Sequence, residues 1–124
     1  MTLADGPIEF AALRRLLEVI GGDRADLSEL IEDFVSGAPE LIAQMSAAAA
    51  GADAAALSRA AHTLKSNAQD FGAVRLAALC AALERESREG TVPDVAASVA
   101  AIAAEEETAR SALGVLNVED IDPS

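Results

Sequence analysis

The chain has very few aromatic side chains, with three Phe and neither Trp nor Tyr among its 124 residues. Hydrophobic residues still make up 52% of the sequence, and alanine supplies much of this share. A chain rich in alanine and leucine but poor in aromatic residues favours closely packed helices over sheets. We therefore predict an all-α protein, and the length predicts a single domain over residues 1–124.

Cysteine is equally scarce, since Cys80 is the only one. A lone cysteine excludes an internal disulfide and fits a reducing compartment. The first ten residues, MTLADGPIEF, lack the basic start and the apolar run of a signal peptide. No uncharged apolar stretch is long enough to span a bilayer. We expect a cytoplasmic protein that does not bind membranes.

Basic residues are outnumbered by acidic ones, nine to 21, which gives a net charge of −12. This charge argues against nucleic acid and anionic membrane surfaces as partners. The sequence has no glycine-rich nucleotide-binding loop, and its single histidine and single cysteine fall on different predicted helices. We expect no cofactor, no metal and no autonomous catalytic activity.

Apolar residues recur at spacings of three and four in five segments, which predicts five helices. The first helix should begin at Pro7 and end at Gly21. Asp23 can cap the second helix, whose apolar face stays in phase across Gly37 and Pro39. This continuity predicts one kinked helix rather than two separate ones.

Asp53 can cap the third helix, and Gly72 and Gly90 should end the third and fourth helices. The apolar face of the fourth helix is read as Leu76, Leu79, Cys80 and Leu83. The last helix should begin near Pro93, with Glu105, Glu106 and Glu107 mostly on its solvated side and Glu106 near the edge of the apolar face.

The short turns between the four long helices predict antiparallel neighbours. The expected fold is an antiparallel up-down four-helix bundle with a short additional N-terminal helix. Its core should span about residues 7–115, and residues 116–124 have no apolar period, which predicts a flexible tail. We expect a monomer.

Residues 61–72, AHTLKSNAQDFG, hold the only histidine, His62, and the only lysine, Lys65. Residues three and four apart are neighbours on a helix surface, so His62, Lys65, Ser66 and Gln69 should share one polar face. A neutral, exposed imidazole can attack phosphorus and hold a phosphoryl group covalently. An exposed ammonium one turn away would offset the new negative charge. The plain alternative is a surface histidine that happens to lie near a lysine.

The same residues resemble the histidine phosphotransfer (HPt) domains of two-component phosphorelays. The match consists of His62, Leu64, Lys65, Ser66 and Gly72, followed by a leucine-rich helix over residues 76–84. Ser66 stands where glycine is commoner, and Asp70 puts an acid near the site. The similarity extends over roughly residues 8–113.

The resemblance implies that His62 is phosphorylated and that Lys65 stabilises the phosphoryl group. It also implies that response-regulator receiver domains, a hybrid histidine kinase or both are the partners, with the receiver supplying the acidic pocket and magnesium. We expect the docking face to include Arg59, Ser66, Gln69 and Gly72.

Two other functions remain open at this point. One is a helical interaction module or inhibitor that is never phosphorylated, against which the exposed His–Lys pair argues. The other is a phosphorylated domain cut from a larger histidine kinase. The dimerising histidine bundles of such kinases have a proline soon after the histidine, whereas the next proline here is Pro93.

Overall fold

The computed structural model describes residues 7–121, which form five α-helices and a short 3-10 helix without any strand. The helices are α1 (Phe10–Val19), α2 (Arg24–Ala50), α3 (Ala54–Asp70), α4 (Val74–Glu89), α5 (Val95–Gly114) and the 3-10 helix Val118–Asp120. The predicted all-α class is therefore confirmed. None of the helices in this part of the chain is long and apolar enough to cross a membrane.

Aspartates cap three of the helices, as local sequence signals suggest. The side chain of Asp23 accepts hydrogen bonds from two backbone N–H groups at the start of α2. Asp53 and Asp94 do the same, with one bond each, for α3 and α5. The two predicted caps, Asp23 and Asp53, are confirmed. Each side chain provides an acceptor for backbone donors that have no partner inside the helix.

The first helix begins at Phe10, three residues later than predicted. Glu9 is extended, and its N–H donates to the carbonyl of Gly72 over 2.8 Å. This tertiary hydrogen bond ties the segment before α1 to the turn after α3. A proline can start a helix, but here the contact with Gly72 holds the chain extended past Pro7.

The second helix is continuous over 27 residues, although it contains Gly37 and Pro39. The prediction of one helix across these residues is confirmed. Pro39 has no N–H to donate within the helix. Ala38, which lies between Gly37 and Pro39 in the sequence, is buried, so this part of α2 packs against the core.

The hydrophobic core lies among the four long helices. Helix α2 contacts α3 and α5, α4 contacts the same two helices, and α1 covers α2 and α3. The rings of Phe34 and Phe71 stack with centroids 4.8 Å apart. The largest fully buried side chains are Leu13, Leu17, Leu27, Met45, Leu64, Leu76, Leu83, Ile102 and Cys80. Cys80 was expected in the core, and burial raises its pKa to about 12.

Two helix faces differ from the prediction. Leu79, expected in the apolar face of α4, is exposed, and Glu84 is buried instead. Glu106, expected mostly on the solvated side of α5, is also buried. It lies between Ile102 and Ala109 at spacings of four and three, so the helical period places it on the inner face. Its carboxylate pairs with Arg110 at 3.2 Å.

The segment after α5 is docked rather than loose as far as Ile121. The guanidinium of Arg24 donates to the carbonyls of Val118 and Ile121 over 3.2 and 2.8 Å. Ile121 itself is buried. These hydrogen bonds have no periodic sequence signal, which is why the pattern indicated a tail. Residues 122–124 of the expected tail lie outside the described residues.

Candidate functional site

His62 lies on the outer face of α3 with 56% of its side chain exposed. The residues at the inner face, Ala61 and Leu64, are completely buried and fix the rotation of the helix. The prediction that the imidazole points toward water is confirmed. A partner can therefore reach the ring without any rearrangement of the core.

The imidazole is held by a buried carboxylate that comes from α4. Nδ1 of His62 lies 2.9 Å from Oε2 of Glu84, whose side chain is only 6% exposed. Oε1 of the same carboxylate accepts a hydrogen bond from Nζ of Lys65 over 2.7 Å. Glu84 thus bridges the two motif residues, although it is 22 residues away from His62 in sequence.

Arg88 completes the cluster from one turn further along α4. Its Nη2 lies 2.9 Å from Oε2 of Glu84, the oxygen nearest to His62. The Lys65 hydrogen bond lowers the pKa of Glu84, and the His62 hydrogen bond acts in the same direction, while burial opposes both. Glu84 is therefore ionised near neutral pH. With a neutral imidazole, one carboxylate and two cations leave the cluster with a net charge of +1.

The charge state of Glu84 determines the tautomer of His62. An ionised carboxylate carries no hydrogen and can only accept hydrogen bonds. The short contact between Nδ1 and Oε2 therefore requires the proton to be on Nδ1. In the neutral ring the other nitrogen then holds the free lone pair. Nε2 is consequently the ring nitrogen with a free lone pair.

Lys65 differs from its predicted environment. It was expected to be an exposed ammonium, but only 23% of its side chain is exposed, and it is paired with Glu84. The partner is the reason for this difference, because a buried carboxylate attracts the nearest cation out of solvent. Lys65 therefore has a structural partner in addition to any role toward a phosphoryl group.

The remaining predicted residues surround this cluster unevenly. Arg59 and Gln69 are exposed on α3, and Ser66 is half-buried. Gly72 is buried, with a φ of +75°, and a Cβ at this position would collide with the backbone carbonyl oxygen of Glu9. The prediction that α3 ends near Gly72 is confirmed, since the helix ends at Asp70. Its close approach to Glu9 gives Gly72 a structural role and leaves little of it for a partner to contact.

Two residues of the cluster, Glu84 and Arg88, were not recognised from the sequence as parts of the site. A signal for Glu84 exists: it lies four residues after Cys80 and one after Leu83, both buried, on a helix that otherwise buries mostly small and apolar residues. A charged residue at such a position is rarely buried unless it is paired. Arg88, four residues further on, is the local partner that this rule suggests.

The residues that the structure describes contain no group of three or more His, Cys, Asp or Glu side chains that could hold a metal ion. The cluster itself consists of one imidazole, one carboxylate and two cations. An imidazole with a fixed tautomer and a free, exposed Nε2 is suited to nucleophilic attack. The two nearby cations suit a product that carries negative charge.

Comparison with known proteins agrees with this chemistry. The family model of the Hpt domain matches residues 29–112, which is more than half of the chain. No curated protein matches the sequence. The fold is similar to the crystal structure of histidine-containing phosphotransfer protein B (HptB) from Pseudomonas aeruginosa PAO1, with a TM-score of 0.81. The two chains are 27% identical over 89% of this chain and 93% of the other.

Members of this family are phosphocarriers that interact with receiver domains and kinases. The chain belongs to the Hpt domain family and is a histidine phosphotransfer protein of two-component signalling.

Proposed function

We propose that His62 is the phosphorylated residue and that it exchanges the phosphoryl group with the aspartate of receiver domains through Nε2. The observation that carries this proposal is the hydrogen bond from Nδ1 of His62 to the buried, ionised Glu84. It leaves Nε2 unprotonated on the ring of an exposed side chain. The same arrangement accepts and donates, because phosphoryl transfer between two nucleophiles is reversible.

The transfer step forms one bond and breaks one. The Nε2 lone pair attacks the phosphorus of an aspartyl phosphate, with the attacking nitrogen and the leaving oxygen in line. The N–P bond forms as the P–O bond breaks, and the electron pair returns to the carboxylate of the partner. The ring gains positive charge while Nδ1–H still points at Glu84. The buried carboxylate stabilises this charge throughout the step.

Lys65 is proposed to stabilise the phosphoryl oxygens from its position one turn after His62. Its ammonium has three donors, of which one is directed at Oε1 of Glu84. A phosphoryl group on Nε2 adds two negative charges or nearly so next to this ammonium. A charge-assisted contact of this kind is worth about 1.5–3 kcal/mol.

The docking face is proposed to be the exposed side of α3 around His62. Arg59 lies one turn before His62, and Ser66 and Gln69 lie one and two turns after it. Ser66 is small, so a receiver pocket could close over the imidazole from this side. Gly72 was assigned to this face as well, and it is the least accessible of the four residues.

The arrangement of the helices, the oligomeric state and the cellular location are part of the same proposal. Each of the four long helices contacts two of the others, α2 with α3 and α5 and α4 with the same two. These contacts support an antiparallel up-down four-helix bundle with α1 as the short additional helix. We further propose a monomeric, cytoplasmic carrier without catalytic activity of its own. In this scheme the receiver domain supplies the remaining catalytic groups.

The test is phosphoryl transfer from a panel of phosphorylated receiver domains to the untagged protein. We expect labelling that is labile in acid and stable in alkali, as for a phosphoramidate bond. His62→Gln should abolish labelling and retain the helical content, because the side chain is mostly exposed. Labelling of this variant at the normal level would refute the assignment of His62.

A further inference from the structure

Arg88 joins the site through Glu84 rather than through the imidazole. Its Nη2 and the Nδ1 of His62 converge on the same carboxylate oxygen, each at 2.9 Å. Its side chain is 68% exposed, whereas that of Glu84 is 6% exposed. Arg88 thus brings a solvated positive charge to a carboxylate that is otherwise enclosed by protein.

Lys65 would face two anions once His62 is phosphorylated, Glu84 and the phosphoryl group, and Arg88 can pair with the first of them. Nζ of Lys65 lies 2.7 Å from Oε1 of Glu84, so the ammonium already pairs with a carboxylate before any phosphoryl group arrives. A shift toward phosphoryl oxygens on His62 would weaken the contact with Glu84. A buried carboxylate that loses its counter-ion is strongly destabilised. The ring of His62 gains positive charge only during transfer, so the shift is more favourable if Arg88 also remains on Glu84.

We propose that Arg88 is a positioning residue that keeps Glu84 ionised and aimed at Nδ1 while Lys65 turns to the phosphoryl group. With Arg88 present, the carboxylate and the phosphoryl group each have a cation of their own. Without it, only the imidazole ring is left to pair with the carboxylate when Lys65 turns to the phosphoryl group. This inference rests on the proposed function of His62 and Lys65, and the covalent step is the same transfer between the receiver aspartate and Nε2 of His62.

The test is a double-mutant cycle on the rate of transfer from a phosphorylated receiver domain, because coupling between two residues appears as non-additivity. Lys65→Ala should slow transfer about tenfold when Arg88 is present, and only about two- to threefold in the Arg88→Ala background. The reason is that Lys65 stays on Glu84 when Arg88 is missing. Arg88→Ala alone should slow transfer about three- to fivefold, because most of the contribution of Lys65 is lost with it, and it should have little effect when Lys65 is already absent.

Three further variants separate this role from general effects. Arg88→Lys keeps a cation near Glu84 and should restore most of the coupling to Lys65. Arg85→Ala removes the same charge from an exposed position on α4 that has no ion pair within residues 7–121, so the cycle should remain as in the wild type. Arg88→Gln removes the charge but retains a donor, and it replaces the alanine variant if that one fails to fold.

The outcomes of the cycle are distinct. If Lys65→Ala slows transfer by the same factor with and without Arg88, the two residues act independently and the inference is wrong. If Arg85→Ala reproduces the effect of Arg88→Ala, the effect is one of overall charge and the inference is also wrong. If the wild-type protein is not labelled at all, the proposed function fails before the cycle begins.

Discussion

Replacing Glu84 by glutamine keeps the shape of the side chain and removes its charge. In the wild type, Oε1 accepts from Lys65 and Oε2 accepts from Nδ1–H of His62. Lys65 and Arg88 can only donate, but Arg88 is 68% exposed and can turn to solvent, so the amide oxygen of Glu84→Gln should lie beside Nζ of the less exposed Lys65. The amide nitrogen then faces the imidazole and donates to Nδ1. This exchange should move the ring proton from Nδ1 to Nε2 and block the nucleophilic lone pair.

The size of the effect follows from the bonds that change. A hydrogen bond to a charged group contributes about 1.5–3 kcal/mol, so its loss at Nδ1 should slow transfer at least about tenfold. The free energy of unfolding should fall by only about 1 kcal/mol. The Lys65 and Arg88 side chains are 23% and 68% exposed and can be hydrated, and the cost of burying the carboxylate disappears.

The assay combines transfer kinetics with long-range ¹⁵N NMR of the imidazole. His62 is the only histidine, so its ring signals need no assignment. Glu106→Gln is the matched control, because it neutralises a second buried glutamate, on α5. We expect normal transfer from the control. Wild-type transfer by Glu84→Gln, with the proton still on Nδ1, would contradict the reasoning about the tautomer.

Three other predictions concern stability and docking. Gly72→Ala should lower the free energy of unfolding by roughly 2 kcal/mol or more in chemical denaturation, because of the positive φ and the contact with Glu9; an unchanged midpoint would contradict this. Ser66→Leu should block transfer from a receiver domain but leave labelling by phosphoramidate, and equal transfer from the receiver would place Ser66 outside the docking face. Thermal melts should show opposite pH dependences for two carboxylates. The stability due to Glu84, whose pKa is lowered by the Lys65 hydrogen bond, is present above the unfolded pKa and lost as pH falls through the folded one. The pKa of Glu106 is raised by burial, so its cost is present at neutral pH and relieved in acid, and Glu106→Gln should gain stability at neutral pH only.

Local signals predicted most helix boundaries because they depend on neighbouring residues. Asp23 and Asp53 cap the helices that follow them, and Gly90 has the left-handed conformation expected of a glycine after a helix. The predicted start of α1 was wrong because a tertiary hydrogen bond, from Glu9 to Gly72, determines where this helix begins. A contact between residues so far apart in sequence leaves no periodic trace.

The candidate site was predicted in part for the same reason. His62 and Lys65 are one turn apart on α3, so the helical period alone brings them together. Glu84 comes from α4, and its contribution depends on the rotation of that helix. Leu79 and Glu84 lie on opposite edges of the apolar face, and hydrophobicity favours burying the leucine. The structure buries the glutamate, because three donors compensate the carboxylate.

Glu84 also changes the role that the structure gives to Lys65. From the sequence, Lys65 is an exposed cation one turn away from the histidine. In the structure its ammonium already pairs with a buried carboxylate, which in turn fixes the imidazole tautomer. The free positive charge of the site therefore cannot be assigned to Lys65 alone. It arises only when Arg88 is included, since Glu84 cancels one of the two cations and leaves the other to offset an incoming phosphoryl group.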